Sequence, residues 1–190
     1  MLDTVKNRLN GLDLAALGEV VEAIEQDATQ AQVGFDVITQ WTGQTRTETM
    51  VEGFDLAGNR IARRHKIVAD EPCELLGSDS APNPQELLMA AFNACITVGY
   101  VAGAATRGIT LNSLEIRTRG ELDLRGFLGL SDEVSAGYES IDYEVRITGN
   151  GTAEQFEEIS LKKRKLHIKD QMETILRDHR TPSSRHGMSA

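Results

Sequence analysis

The spacing of hydrophobic residues changes several times along the chain. In residues 12–30, Leu14, Leu17, Val21 and Ile24 recur at intervals of three and four, and Glu and Gln occupy the other faces. This spacing predicts an amphipathic helix, because residues three and four apart lie on one helical face. We expect this helix to serve as a packing element or an N-terminal arm.

The hydrophobic period then becomes two, which predicts strands. The stretch QVGFDVITQW places Val33, Phe35, Val37 and Thr39 on one face, and TRTETMVEGF is its predicted hairpin partner after Gly43. A further strand is predicted in NRIARRHKIVADEP, where the proline ends it. A loop rich in Gly, Ser, Asp and Pro comes next.

The longest predicted helix begins after this loop. Asn83 suits the N-cap, Pro84 suits the first helical position, and Glu86 completes a capping box. The helix is predicted to end near Arg107 and Gly108, because a cation and a glycine are favoured at helix C-termini.

Two strands and a helix follow. TLNSLEIRTRGELDL and IDYEVRIT alternate in hydrophobicity, and TAEQFEEISLKKRKLH is amphipathic after a predicted cap at Thr152. This order of elements favours an α+β fold with antiparallel sheets over alternating βαβ units. We expect an N-terminal helical extension over residues 1–32, the main domain over 33–180 and a loose tail over 181–190.

The long helix has some features of a membrane span. Residues 87–106 carry no charge, and Gly99 and Gly103 form a GxxxG pair. However, Asn93 and Thr97 are polar, the flanking chain is strongly polar, and the segment is rich in Ala and Gly rather than Leu and Ile. We therefore predict a long buried central helix in a soluble protein, without membrane association.

Composition and charge narrow the choice of partners. The chain has 190 residues, 26% of them charged, and a formal net charge of −9. This charge argues against nucleic acid and anionic membranes, since both require a positive field. The KKRK run at 162–165 fits a solvated helix face. The histidines share no metal-ligand spacing, so neither a metal nor another cofactor is predicted.

The chain contains two cysteines, Cys73 and Cys95, which are too few for a disulfide framework. The first 28 residues lack the continuous apolar core of a signal peptide. These two features favour a cytoplasmic protein with free thiols.

Cys95 lies on a stripe of small residues in the long helix. Ala91, Cys95, Gly99 and Gly103 follow one another at intervals of four and share one face. Such a stripe allows a second element to pack very close, and a cysteine there can act as a small hydrophobic residue. The alternative is a nucleophile held in a dry site.

A nucleophilic Cys95 would need a cation from a distant part of the chain. It lies twelve residues beyond Asn83, about 18 Å along the helix, where the positive helix N-terminus no longer acts. Apolar surroundings disfavour a thiolate. An arginine is the suitable partner, because it stays charged when desolvated. Arg46, on an early predicted strand, and Arg125, in a loop, are among the candidates.

The residues 69–130 resemble the superfamily of osmotically inducible protein C and the organic hydroperoxide resistance proteins (OsmC/Ohr). The resemblance is carried by DEP, a Gly-containing loop, PNPQELLMAAFNACIT and the following A..RGITL..L.I...G.LD.RG. Weaker agreement runs from about residue 35 to 175. The spacing from Pro84 to Cys95, with its apolar filling, is the most specific part.

This resemblance implies an α+β fold in which two chains intertwine as a homodimer with sites at the interface. In peroxidase members, the cysteine at the Cys95 position attacks an organic hydroperoxide and becomes a sulfenic acid. A second cysteine near the last helix resolves it, and small dithiols or lipoylated proteins reduce the disulfide. An arginine from the N-terminal sheet holds the thiolate. Arg46 lies in about the segment that matches this arginine. A glutamate just after the proline orients that arginine.

The chain departs from this pattern in two places. Gln85 stands where the orienting glutamate is expected, and the neighbouring Glu86 already has its capping role. The segment LKKRKLHIKDQMETI lacks the resolving cysteine, so Cys73 is either an incidental loop cysteine or an alternative resolver.

Two functions follow from these observations. The first is a thiol-dependent peroxidase that reduces organic hydroperoxides through Cys95, with roles for Arg46, Glu86 and Cys73. The second is an OsmC-like dimer without efficient peroxidase activity that binds a small apolar or thiol-reactive ligand.

Overall fold

The computed structural model describes residues 8–164, with side chains described up to residue 160. The chain divides into two compact units, one ending at Gly151 and one beginning at Thr152, which are treated separately. The elements of the first unit are β1 (Arg8–Leu9), β2 (Leu12–Asp13), α1 (Leu14–Gln26), β3 (Val33–Phe35), β4 (Ile38–Gly43), β5 (Arg46–Leu56), β6 (Asn59–Ala69), α2 (Pro84–Ala105), β7 (Leu111–Gly120), α3 (Leu124–Phe127) and β8 (Ile141–Gly149). The second unit contains α4 (Ala153–Arg164).

Strand β5 organises the first antiparallel sheet. It pairs with β6 along one edge, while β3 and β4 share its other edge. The predicted single strand from residue 33 is therefore two strands. Phe35 lies opposite Phe54, and Ile38 lies opposite Met50. Between these two pairs the chain advances three residues from β3 to β4 but four residues along β5. This offset breaks the predicted alternation, because a slip of one residue moves side chains to the opposite face.

The predicted start of the long helix is confirmed in detail. The Asn83 side chain accepts a hydrogen bond from the Glu86 backbone N–H at 2.8 Å, and the Glu86 carboxylate accepts one from the Asn83 N–H at 2.9 Å. Pro84 occupies the first turn. After the helix, Gly108 adopts a φ of 69°, a left-handed conformation that favours glycine.

One face of α2 packs on the antiparallel pair formed by β7 and β8. The Asn93 side chain donates to the backbone oxygen of Ile116 at 3.4 Å and accepts a hydrogen bond from the Thr118 hydroxyl. The ring of Phe92 meets that of Tyr143 edge to face, with centroids 5.5 Å apart. Asn93 is thus a packing amide.

The opposite face of α2 is open in the single chain. In the first unit, the buried apolar residues are Ala69, Tyr100, Ala104, Ala105 and Ile109, and only three of them belong to α2. The prediction of a long buried helix is therefore not met within one chain. A run of hydrophobic residues predicts that a helix is buried, but it does not indicate whether the same chain or a second one buries it.

The loop between β6 and α2 requires a glycine at position 77. A Cβ atom there would lie 1.8 Å from the backbone oxygen of Glu71. We expect Gly77→Ala to lower the free energy of unfolding by about 1–3 kcal/mol, because the obstructing atom belongs to the backbone. Urea denaturation measures the change. Gly137→Ala is the matched control, since its Cβ would meet nothing within 4 Å; equal stability of the two variants would contradict this account.

Candidate active site

Cys95 lies exposed on the open face of α2, and its thiol is free. The exposed side chains around it on the helix are apolar: Leu88 is 48% exposed and Val98 is 68% exposed. Ala91, one turn before the cysteine, is also exposed. The single chain therefore presents a thiol in the middle of an apolar surface.

Arg46 begins β5, directly after the turn that joins it to β4. Its Nη1 donates to the Ser80 hydroxyl at 2.7 Å, and its Nη2 donates to Glu48 Oε1 at 3.2 Å. Arg46 and Glu48 share a face of the strand because they are two residues apart. About a third of each of these two side chains remains exposed.

Glu48 is shared between two cations. Its Oε2 lies 2.7 Å from Lys66 Nζ, across the sheet on β6, while its Oε1 receives the bond from Arg46. The Lys66 ammonium, and after it Arg46, lower the pKa of Glu48. The carboxylate is therefore ionised at neutral pH and restrains the guanidinium from its own strand.

Asp70 organises the loop that follows β6. Its side chain is completely buried, and Oδ2 accepts hydrogen bonds from the hydroxyls of Ser78 at 2.7 Å and Ser80 at 2.8 Å. Oδ1 accepts from the Thr45 hydroxyl at 2.8 Å and from the Glu71 N–H at 3.0 Å. The bonds from Ser78, Ser80 and Thr45 hold the pKa of Asp70 far below its ordinary value. Loop and strand are thus tied to one carboxylate.

Among the described residues, neither Gln85 nor Glu86 forms a hydrogen bond or ion pair with Arg46. Gln85 forms no side-chain hydrogen bond with any residue in the range 8–160, and the Glu86 carboxylate serves the capping box. The carboxylate that pairs with Arg46 in this chain is Glu48.

Cys73 begins a short 3₁₀ turn, Cys73–Leu75, and its thiol is free and exposed. The structure forms no disulfide between Cys73 and Cys95 within the chain. Their assignment as attacking and resolving thiols stays a prediction.

Arg125, the other candidate cation, is engaged elsewhere. Its Nε and Nη2 donate to both carboxylate oxygens of Asp123, with an Nη2–Oδ2 distance of 2.5 Å. This pairing lowers the pKa of Asp123 to about 2. Arg125 is thus held by a carboxylate two residues before it in the chain.

Among the described residues, no hydrogen bond, ion pair or disulfide joins any two of the predicted site residues, which are Cys95, Arg46, Glu86 and Cys73. Arg46 is joined to Glu48 and, through Ser80, to Asp70. Within the described part of one chain, no hydrogen bond or ion pair links Arg46 to Cys95. Sequence reasoning named Arg46 and Cys95 and missed Glu48, Ser80 and Asp70. The alternating strand around Arg46 could have indicated Glu48, since residues two apart face the same side.

Comparison with known proteins shows which family part of the chain is similar to. Residues 77–166 match the family described as OsmC-like protein, a segment that includes Cys95. A solved structure of an OsmC-like protein from Mycoplasma pneumoniae is similar at 14% identity with a TM-score of 0.55, covering 73% of this chain and 86% of that one. No curated protein matches the sequence.

Two other solved structures are more weakly similar. One is a putative osmotic stress induced and detoxification response protein from Psychrobacter arcticus 273-4, at 13% identity and a TM-score of 0.49, covering 66% of this chain and 80% of that one. The other is an OsmC-like hydroperoxide resistance protein from Jannaschia sp. CCS1, at 15% identity and a TM-score of 0.36, covering 83% and 93%.

The first unit has the α+β architecture with antiparallel sheets of an OsmC-like structure. The resemblance to OsmC-like proteins found in the sequence is confirmed over residues 77–166. Among the described residues, α2 is the one helix long and apolar enough to cross a membrane, and 11% of its apolar window is buried. In this structure the helix packs on strand β7.

Asp70→Asn should change how stability depends on pH. The pKa of Asp70 is lowered by folding, so its ionised form stabilises the protein above the ordinary value of 3.8, and this contribution is lost as the pH falls below it. We expect the variant to be less stable than the wild type at pH 7 and to lose less stability between pH 5 and pH 2.

Urea titrations across this pH range measure the effect. Asp132→Asn is the matched control, because Asp132 is exposed and has no hydrogen-bond partner among the described residues. Parallel pH curves for the wild type and Asp70→Asn would show that the Asp70 hydrogen bonds do not stabilise the fold.

Proposed function

We propose that this protein is a thiol-dependent peroxidase that reduces organic hydroperoxides, with Cys95 as the attacking residue and Arg46 as its cation. The observation that carries the proposal is the free thiol of Cys95 on an apolar helix face within an OsmC-like domain. An apolar surface favours an organic hydroperoxide over hydrogen peroxide, because burying the hydrocarbon part of the organic substrate against that surface lowers the free energy of the complex.

The first step transfers one oxygen atom to sulfur. The Cys95 thiolate attacks the terminal, hydrogen-bearing oxygen of the hydroperoxide and becomes a sulfenic acid; the O–O bond breaks, and the alkoxide leaves and takes up a proton to become an alcohol. Arg46 stabilises the thiolate before the attack and the alkoxide as it forms. The guanidinium suits this role because it stays charged and presents several N–H donors.

The second part of the cycle returns the sulfur to a thiol. The sulfenic acid condenses with Cys73 or with an external thiol, which forms a disulfide and releases water. A dithiol, either a small molecule or a lipoylated protein, then reduces the disulfide and is itself oxidised. Cys73 is an accessible candidate because it lies on an exposed turn.

A second copy of the chain completes the site in this proposal. Among the described residues of the first unit, 8–151, five apolar residues are buried, although a chain of this size can bury a substantial core. The open face of α2 carries Leu88 and Val98, and OsmC-like proteins are typically homodimers. An intertwined pair would cover this face and bring an arginine to each Cys95.

The boundaries and location follow the same proposal. We place the OsmC-like domain at residues 33–180, after a helical extension over 1–32 and before a tail over 181–190, in the reducing environment of the cytoplasm. The family match at 77–166 falls within this domain. The last third of α4, with the KKRK run at 162–165, and the whole predicted tail lie outside the described side chains.

Two observations favour the alternative function. Gln85 forms no hydrogen bond with Arg46, and the sequence has no cysteine after Cys95. A dimer that binds a small apolar or thiol-reactive ligand, without efficient turnover, would need neither an orienting carboxylate on α2 nor a resolving thiol.

The first test is turnover of cumene hydroperoxide with a dithiol reductant. We expect the wild type to consume the peroxide and Cys95→Ser to lose the activity, because the attacking sulfur is gone. The Cys73→Ser variant separates the two routes of resolution. An internal disulfide lowers the mass of the oxidised wild type by two hydrogens, whereas an external thiol leaves a mixed disulfide on Cys95. Absence of turnover in the wild type would exclude the peroxidase.

The second test concerns the dimer. We expect the wild type to sediment as a dimer and Val98→Glu to shift toward the monomer, because a buried charge would face the apolar helix of the partner. Val20→Glu is the matched control, since Val20 is a 55% exposed valine on α1 rather than α2. A monomeric wild type, or equal weakening by both variants, would contradict assembly through this face of α2.

A further inference from the structure

We propose that Ser80, backed by Asp70, together with Glu48, positions the guanidinium of Arg46 for Cys95, so that Arg46 is oriented from its own sheet and loop rather than from α2. This inference rests on the proposed peroxidase function. It assigns positioning roles to residues that do not touch the substrate.

The direction of the Ser80 hydrogen bonds is set by chemistry. A hydroxyl has one proton, and Arg46 can only donate. Since Asp70 is buried and ionised, it accepts the Ser80 proton at 2.8 Å, which leaves the Ser80 oxygen to accept from Arg46 Nη1 at 2.7 Å. The Ser80 backbone N–H also donates to Asp70, at 3.1 Å, so the serine is fixed at two points.

Glu48 restrains the second terminal nitrogen of Arg46. The bond from Nη2 to Glu48 Oε1 is 3.2 Å, and the bond of Lys66 to Oε2 keeps the carboxylate on that side of the sheet. Two separate acceptors therefore define the plane of the guanidinium. The remaining N–H donors of Arg46 have no acceptor in the described part of the chain and are available to a thiolate or a peroxide oxygen.

The chain around Arg46 adds a second tie to the same carboxylate. Thr45, its neighbour, donates to Asp70 Oδ1 at 2.8 Å, while Ser80 connects Arg46 to Oδ2. Backbone and side chain of this short segment are thus anchored to one buried anion. On α2, by contrast, Gln85 offers no bond and Glu86 is engaged in the capping box.

Ser78 provides a matched control. Its hydroxyl donates to the same oxygen of Asp70, at 2.7 Å, but it does not contact Arg46. Ser78→Ala and Ser80→Ala therefore remove similar hydrogen bonds from Asp70. Only Ser80→Ala also removes an acceptor from the guanidinium.

The experiment is a double-mutant cycle for cumene hydroperoxide reduction. We expect Ser80→Ala to lower kcat/KM by roughly tenfold, the effect of losing one hydrogen bond to a charged group, and Ser80→Thr to restore most of the activity. Ser78→Ala should lower stability without this loss. In an Arg46→Ala background, Ser80→Ala should have no further effect, because it acts through the arginine.

Glu48→Gln separates positioning from charge. Removing a negative charge near a thiolate would by itself favour the thiolate. Loss of positioning instead lowers kcat/KM, and we expect this second result. An unchanged or increased kcat/KM in Glu48→Gln would remove Glu48 from the proposal.

A readout without peroxide keeps the two proposals distinguishable. In a Cys73→Ser background, the rate of Cys95 alkylation by iodoacetamide is followed against pH. We expect Ser80→Ala to shift the pH at the midpoint of the alkylation-rate profile toward the midpoint pH of the Arg46→Ala variant. Wild-type turnover that is insensitive to Ser80→Ala would overturn the positioning role alone. An alkylation profile unaffected by Arg46→Ala would overturn it as well, whether or not the protein turns over peroxide.

Discussion

The structure depends on helix α2, which has one face packed within the chain and one apolar face exposed to solvent. One face of α2 is satisfied within the chain, where Asn93 bonds to β7 and Phe92 meets Tyr143 of β8. The other face presents Val98 and Cys95 to the surroundings. Exposed apolar surface of this extent is costly in water and requires cover. The same requirement explains why the proposed site needs a second copy.

The second organising interaction is the set of bonds to Asp70. A buried carboxylate without partners would be unfavourable, but six hydrogen bonds from the surrounding loop and from Thr45 satisfy this one. The loop therefore folds around the charge, and the start of β5 is held with it. This arrangement gives Arg46 a defined position before any ligand binds, which favours stabilisation of charge by preorganised donors.

Local features of the chain were predictable because local interactions determine them. The cap of α2 is formed by residues three apart, Asn83 and Glu86, and was read directly from the sequence. The hydrogen bond between Arg46 and Ser80 could not be predicted from the sequence, because the two residues are 34 positions apart in the chain. The exposure of Cys95 was not predictable either, since the apolar pattern of α2 is the same whether its own chain or another one covers it.

The charges around Arg46 limit how it can act on a thiolate. Arg46 and Lys66 are balanced by Glu48 and Asp70, and the whole chain carries a net charge of −9. Neither the cluster nor the protein provides a broad positive field at Cys95, and salt would screen such a field beyond about 10 Å. Stabilisation of a thiolate must therefore come from direct N–H donors of the guanidinium. Direct donors demand an accurate orientation, and this is what Ser80 and Glu48 can supply.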